Sequence, residues 1–410
     1  MQLKDLYGKD ADKQAFIRRM QALEQRFEKQ EGKKPEAWFS SSGRAEVIGN
    51  HTDHNCGKVL VAAVSCDILA AVSPRSDGKI FVSSAGYPSF SLDVNDLAVR
   101  KSEYGKSIAL VRGVVKGFVD RGYKVGGFTA YTDSTIFQGA GVSSSAAFEL
   151  LISEILNSLY LNGASDPVEK AIVSQYSENE YFGKPCGLLD QSGISLGGIN
   201  KIDFKDPSAP VIENLAAPAG YTLVITNTGG SHALLTEHYA AIRTEMHAVA
   251  QFFGKEVLRD VDYELFFRSV PALREKVSER AILRAFHYYE ENERVDRAAQ
   301  ALRSGDVKAF LAEIGSSGES SLNCLQNCCV PGSCEQPVPL AIHMSRRLIR
   351  DGAVRVHGGG FAGTIIAYLA DAEVPAYVEE MGKVFGRENV FSASVRTPGA
   401  VRLNIAELIG

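Results

Sequence analysis

Gln138-Gly-Ala-Gly-Val-Ser-Ser-Ser-Ala-Ala147 lies between a strand-like segment, GGFTAYTD (126–133), and an apolar run, AAFELLISEILNSLYL (146–161), that reads as a well-buried helix. Glycines let a backbone approach an anion closely, and a helix start presents unpaired N–H groups at the positive end of its dipole. Strand, glycine-serine loop and helix in that order make a phosphate cradle. Ser143, Ser144 and Ser145 can cap the helix, donate to phosphate oxygens or reach a metal ion. The stretch is no Walker A loop, because it lacks GK[ST], and by itself it also reads as a helix cap after a flexible loop.

Outward from this loop, strands and helices alternate without a repeat. Phe16, Met20, Leu23 and Phe27 give residues 12–31 the spacing of an amphipathic helix. VLVAAVSCDILAAVSP (59–74) and KIFVSSAG (79–86) read as strands, followed by a helix near 104–121. Downstream come a helix at 167–182 and strands at 197–204 and 221–229, with the passage into a second half placed near residue 210. That half reads as a helix over 235–253, polar helices between 280 and 315, and strands AVRVHGGG, TIIAYLA and VFSASVRT around a helix at 373–385. The mixed order predicts α+β architecture in two domains, 1–210 and 211–410, the simplest division of 410 residues.

A composition that is 45% hydrophobic and 23% charged supports a folded core. The net charge of −5 offers no basic field for nucleic acid, so any phosphate must be gripped locally. The polar start, MQLKDLYGKDADKQAF, and the lack of a long apolar run predict a cytoplasmic chain with no membrane partner. No obligate protein partner is indicated. Cys324, Cys328, Cys329 and Cys334 crowd together, but their spacing is not that of paired CxxC zinc ligands, and they read as thiols.

Three further segments carry chemistry. Val356-His-Gly-Gly-Gly-Phe-Ala-Gly363 packs glycine between two strand-like runs, as either a tight hairpin or a second loop of a shared anion site. Ser42 to Asn55, read as an irregular stretch between apolar strands, gathers Arg44, Glu46, Asn50, His51, Asp53, His54 and Asn55. Such groups are costly to bury unless they bind one another or a ligand, and a polyhydroxylated ligand fits them better than zinc on His51, Asp53 and His54. Gly183-Lys-Pro-Cys-Gly-Leu-Leu-Asp-Gln191 follows Glu178 and Glu180, and two separate carboxylates suit a phosphotransferase: one for Mg²⁺, one for the attacking hydroxyl.

In order and separation, these segments resemble the galactokinase branch of the GHMP kinases over essentially the whole chain. Gly43 to Asn55 looks like GRxNLIGEHTDYN, GAGVSSSAA like the family's phosphate loop, SENEYFGKPCGLLDQ like AENEFxGxxCGIMDQ, and HGGGFAG like TGGGFGG. Leu235 to Arg243 is similar to SSEYPxRR. The resemblance implies a GHMP kinase fold with its active site between the halves, and an ATP- and Mg²⁺-dependent 1-kinase for galactose or a close relative. It implies Asp190 and Arg44 as catalytic. Gly139, Gly141, Ser143, Ser144, Ser145, Gly359 and Gly360 would contact ATP, with Ser144 and Glu178 on the metal. The sugar would be met by Arg44, Asn50, His51, Asp53, Gly187, Asp190 and Tyr239. Arg44 beside Asp190 would depress its pKa, so orienting the hydroxyl counts alongside removing its proton.

The informative departure from the signature is Asn50 in place of glutamate; Glu46 for asparagine and His54 for tyrosine are others. A carboxylate facing a uronate at about 4 Å would cost roughly 4 kcal/mol at an effective dielectric near 20, so Asn50 makes galacturonate the alternative substrate. A non-catalytic sugar sensor is the alternative of another class, against which the intact GVSSSAA and Asp190 argue. Mevalonate and homoserine kinases lack the HTD and CGxxDQ arrangement.

Overall fold

A computed structural model describes residues 1–136, 141–229 and 235–409, with the side chain of Thr236 excepted. Gln138, Gly139 and Ala140 of the predicted phosphate loop therefore lie outside the described residues. The strands are β1 (Ala37–Ile48), β2 (Lys58–Arg75), β3 (Lys79–Ser84), β4 (Phe90–Asp93), β5 (Gly127–Ser134) and β6 (Ile199–Asp203). They continue with β7 (Val211–Leu215), β8 (Tyr221–Asn227), β9 (Gly352–His357), β10 (Thr364–Ala370), β11 (Val390–Ala393) and β12 (Val401–Leu403).

Among the described residues these make two sheets. The first runs β12-β1-β2-β5-β3-β4, with β6 on the far end of β2 and β7 beyond it; the second runs β11-β8-β10-β9. The long β2 makes this possible, because its first residues pair with β6 while Ile68 to Arg75 pair with β5. Helices Ser144–Tyr160 and Leu189–Leu196 pack on β1 and β2, and Val307–Ser320 packs on β9. With both sheets and long helices present, the architecture is α+β.

Strand pairing runs across residue 210, where the passage into a second half was placed. β7, beyond that residue, is hydrogen-bonded to β6 along its length, from Ile199 with Leu215 to Asp203 with Val211. At the other end β12 returns to pair with β1, Trp38 opposite Leu403. One continuous core joins Val47 and Leu60 of the first sheet to Ile225 and Ile366 of the second, and to Ala299 of the helix Glu279–Ser304. β7 was missed because it is mostly solvent-facing, which leaves a sequence pattern like that of a linker.

β1 is a correction, since its C-terminal half was read as irregular. The strand is buried on nearly every residue, so core residues Ala45, Val47 and Ile48 share its C-terminal half with the buried polar side chains of Ser42, Arg44 and Glu46. Three of its polar groups are paired across the fold: Ser40 donates to Asp67, Arg44 meets Asp190 and Glu46 meets Arg355. Among the described residues no helix is long and apolar enough to cross a membrane.

Candidate active site

Arg44 projects from β1 and is 6% exposed. Its Nε donates to Asp190 Oδ1 at 2.6 Å and its Nη1 to the carbonyl of Gly141 at 2.6 Å. Asp190 sits in the first turn of Leu189–Leu196, and its other oxygen accepts from the Ser143 hydroxyl. Three segments distant in sequence thus meet on one carboxylate. Burial would push the Asp190 carboxyl up, but the Arg44 guanidinium and its hydrogen bond prevail and hold it below the ordinary value.

The described part of the phosphate loop has the backbone its composition suggested. Gly141 (φ 71°) and Ser143 (φ 61°) are left-handed, and Ser144–Tyr160 starts immediately after. A Cβ on Gly141 would stand 2.1 Å from Thr364 Oγ1 at the head of β10, so the glycine permits the approach of the two halves. His357 braces this junction: its Nε2 accepts from the Glu46 N–H at 3.0 Å, leaving Nδ1–H to donate to Thr364 Oγ1 at 3.3 Å. Burial, with Arg44 and Arg355 nearby, keeps His357 neutral.

Glu178 lies in the π-helical turn Ser177–Phe182 and is buried. Of the three serines, Ser145 reaches it, Oγ to Oε1 at 2.9 Å; Ser144 is exposed at the helix start. Ser145, rather than Ser144, is thus the serine placed beside Glu178. Lys184 Nζ approaches the same Oε1 at 3.2 Å, while Gln191 Nε2 donates to Oε2 at 2.8 Å and to Glu149 Oε2 at 3.2 Å. Burial, and then the Glu178 charge, raise the Glu149 carboxyl well above its ordinary range. Mg²⁺ takes hard oxygen ligands and usually only one or two protein carboxylates beside phosphate and water. Ser145 and Glu178 offer two hard oxygen ligands that fit such an ion.

On the other side of Asp190, Asp53 Oδ2 lies where a Cβ on Gly187 would come within 1.8 Å, so glycine there lets the CGLLDQ turn press against the carboxylate. The Leu189 N–H also reaches Oδ2, at 3.4 Å, and burial followed by the Asp190 charge lifts the Asp53 pKa to about 6. His51 Nε2–H donates to the Gly359 carbonyl at 3.1 Å, and Tyr239 donates to the Gly360 carbonyl at 3.0 Å. His54 Nδ1 accepts from Asn55 Nδ2 at 2.9 Å. Among the described residues no three or more His, Cys, Asp or Glu side chains are grouped to hold a metal ion, so the zinc alternative on His51, Asp53 and His54 gains no support.

Gly359 and Gly360 were expected against ATP, yet their close neighbours are protein. Added Cβ atoms would meet Tyr239 at 2.6 Å and the Asn327 carbonyl at 2.1 Å. The third loop is held to the sugar-signature turn by Asn50 Nδ2 at the Gly358 carbonyl and His51 Nε2 at the Gly359 carbonyl, while Gly358 faces Gly141.

Asn50 also departs from expectation. It is 0% exposed, its Nδ2 donates to Glu46 Oε1 and to the Gly358 carbonyl, both at 2.8 Å, and its Oδ1 accepts from Asn327 Nδ2 at 2.8 Å. The carboxylate absent at position 50 is present at 46, where Arg355 pairs with it at 3.0 Å. From the long helix, His287 Nε2–H donates to the Asn50 carbonyl at 2.9 Å and Glu291 Oε1 accepts from the Gly49 N–H at 3.0 Å. Burial would raise Glu291, but His287, Arg355 and Arg294 hold it down at about 2. His287 and Glu291 went unread because a His and a Glu four apart on a polar helix look like a solvated face.

Comparison with known proteins agrees with this geometry. The galactokinase galactose-binding signature matches residues 25–74, and the GHMP kinase N-terminal domain matches residues 109–198. The fold is similar to that of Lactococcus lactis galactokinase complexed with galactose, with a TM-score of 0.82 at 24% identity over 94% of this chain and 100% of that one. Methanococcus jannaschii mevalonate kinase follows at TM-score 0.62 and 14% identity, over 87% of this chain and 98% of that one. Streptococcus pneumoniae phosphomevalonate kinase gives 0.59 and 11%, over 89% and 99%. At these identities the structural likeness speaks to the fold, which is that of the GHMP kinases.

Proposed function

We propose that the chain, a phosphotransferase of the galactokinase branch of the GHMP kinases with an alcohol group as acceptor, moves the γ-phosphoryl group of ATP to the anomeric hydroxyl of galactose. In that reaction the sugar O1–P bond forms, the bond from Pγ to the β,γ-bridging oxygen breaks, ADP leaves, and the O1 proton passes to Asp190. The observation that carries the reading is Asp190 held at once by Arg44 of the sugar-signature strand and by Ser143 of the phosphate loop. Phosphoryl transfer asks mainly for alignment and charge neutralisation. Asp190 orients the hydroxyl, Arg44 fixes Asp190 and the loop carbonyl of Gly141, and the helix start at Ser144 offers N–H groups to phosphate. Bound Mg²⁺ would supply further charge neutralisation, held by Ser145 and Glu178. His51, Asp53 and Tyr239 are the groups for the sugar.

A sugar panel with an ADP readout tests this. Galactose-dependent ADP release, with phosphate on O1 by NMR, is expected. Because Glu46 restores the charge missing at position 50, galacturonate is expected to turn over more slowly than galactose. Nucleotide binding with no ADP release on any sugar would show a sensor instead.

Gly187→Ala gives a sharper test of the sugar side, because the new methyl must displace the Asp53 carboxylate. Loss of one charge-assisted hydrogen bond should raise the sugar KM about 10–100-fold with little change in the KM for ATP. An unchanged sugar KM would remove Asp53 from the sugar site.

A further inference from the structure

Lys184 follows Gly183, the left-handed end of the turn that carries Glu178 (φ 78°), where any side chain would run into the Tyr104 ring at 2.6 Å. Its backbone N–H donates to the Glu178 carbonyl at 3.1 Å. Two residues on, Cys186 is fixed from both sides: its N–H donates to Asn179 Oδ1 at 2.7 Å, and its carbonyl accepts from Gln175 Nε2 at 3.2 Å. The main chain here is pinned, whereas the Lys184 side chain is 63% exposed and carries its ammonium on four rotatable bonds.

Charge accounting gives that ammonium a task. Glu178 lies beside Ser145 and Asp190 beside Ser143 of the same loop, and the turn that carries Asp190 also meets Asp53. Among the described residues, the cations acting on Glu178 and Asp190 are Arg44 and Lys184, and Arg44 is already committed to Asp190 and the Gly141 carbonyl. The oxygen Lys184 approaches, Glu178 Oε1, is also the one bonded to Ser145, so ammonium and metal would compete for one ligand atom.

We propose that Lys184 is a second phosphate-directed cation of this site, which neutralises Glu178 in the metal-free cleft and turns to the phosphate oxygens of the nucleotide when Glu178 serves as a metal ligand. This rests on the kinase reading above. Lys184 thereby acts in two opposed ways, against the metal in the empty cleft and for the nucleotide in the loaded one.

The test is equilibrium titration of the full chain and of Lys184→Met with Mn²⁺ alone and with metal-free ATP, beside steady-state turnover. Lys184→Met should bind Mn²⁺ about threefold more tightly, the size of a lost exposed ion-pair competitor. It should bind ATP about tenfold more weakly and lose about tenfold in kcat, as expected for one charge-assisted hydrogen bond. Lys184→Arg should recover most of the ATP affinity. Unchanged or weaker Mn²⁺ binding by Lys184→Met, or unchanged ATP affinity, overturns the proposal. A wild-type chain that binds Mn²⁺ and ATP but phosphorylates no sugar overturns the kinase reading instead, and the titrations still decide the role of Lys184.

Discussion

Asp190→Asn is expected to bind sugar and nucleotide within a few-fold of the wild-type chain and to lose about 10²–10⁴ in kcat, the range for a lost general base. The substitution keeps the shape of the group. An asparagine carbonyl can still accept from Arg44 Nε, and its amide can donate to Ser143 Oγ, so the three-segment junction survives. What disappears is the negative charge that orients the anomeric hydroxyl and takes its proton. Arg44 holds Asp190 below the ordinary carboxylate range, which makes it a weak base and assigns part of the loss to orientation. Isothermal titration for binding and an ADP assay for turnover separate the two effects. A kcat near that of the wild type would sink the assignment of Asp190, whatever happened to KM.

The parts of this site legible in the sequence are those where a backbone constraint and a chemical group coincide. Gly141 must be glycine because Thr364 stands behind it, and Gly187 because Asp53 does; both fall inside quoted motifs. Asp190 and Arg44 were likewise readable, one behind a turn and the other in a polar run too rich to be buried idly. The illegible parts depend on partners tens to hundreds of residues away. Little local in Ala37–Ile48 announces a strand, because its core residues Phe39, Val47 and Ile48 are interrupted by Ser40, Arg44 and Glu46, whose partners Asp67, Asp190 and Arg355 lie elsewhere in the sequence. The choice of Ser145 over Ser144 turns on which side of the first helical turn faces Glu178, and adjacent serines give no sign of that. Gly359 and Gly360 were expected to face phosphate because glycine density reports close approach without saying to what; the close neighbours are Tyr239 and Asn327.

Exchanging Glu46 and Asn50 is expected to restore most of what either single change removes. The two side chains are hydrogen-bonded at 2.8 Å in a buried network with one cation, Arg355, which is 0% exposed. Glu46→Asn alone leaves that guanidinium with backbone carbonyl contacts only, at Val47 and Glu46, and breaking a buried pair costs about 3–5 kcal/mol. Asn50→Glu alone sets a second carboxylate against the first and removes the donor to the Gly358 carbonyl, so one acid must take up a proton or the turn must move. In Glu46→Asn/Asn50→Glu there is again one acid, one amide and one arginine, the same groups in the order of the galactokinase signature. A double-mutant cycle by thermal unfolding should give a coupling of about 0.5–3 kcal/mol, with the double variant more stable than the sum of the singles allows. The cycle also decides what Asn50 is for. Were Asn50 a sugar contact, its variants would change the sugar KM at constant Tm; as the brace between His51 and the third glycine loop, it should lower Tm first. Additive losses in Tm would mean that positions 46 and 50 departed from the signature independently, and would reopen Asn50 as a specificity residue for the C6 group of the sugar.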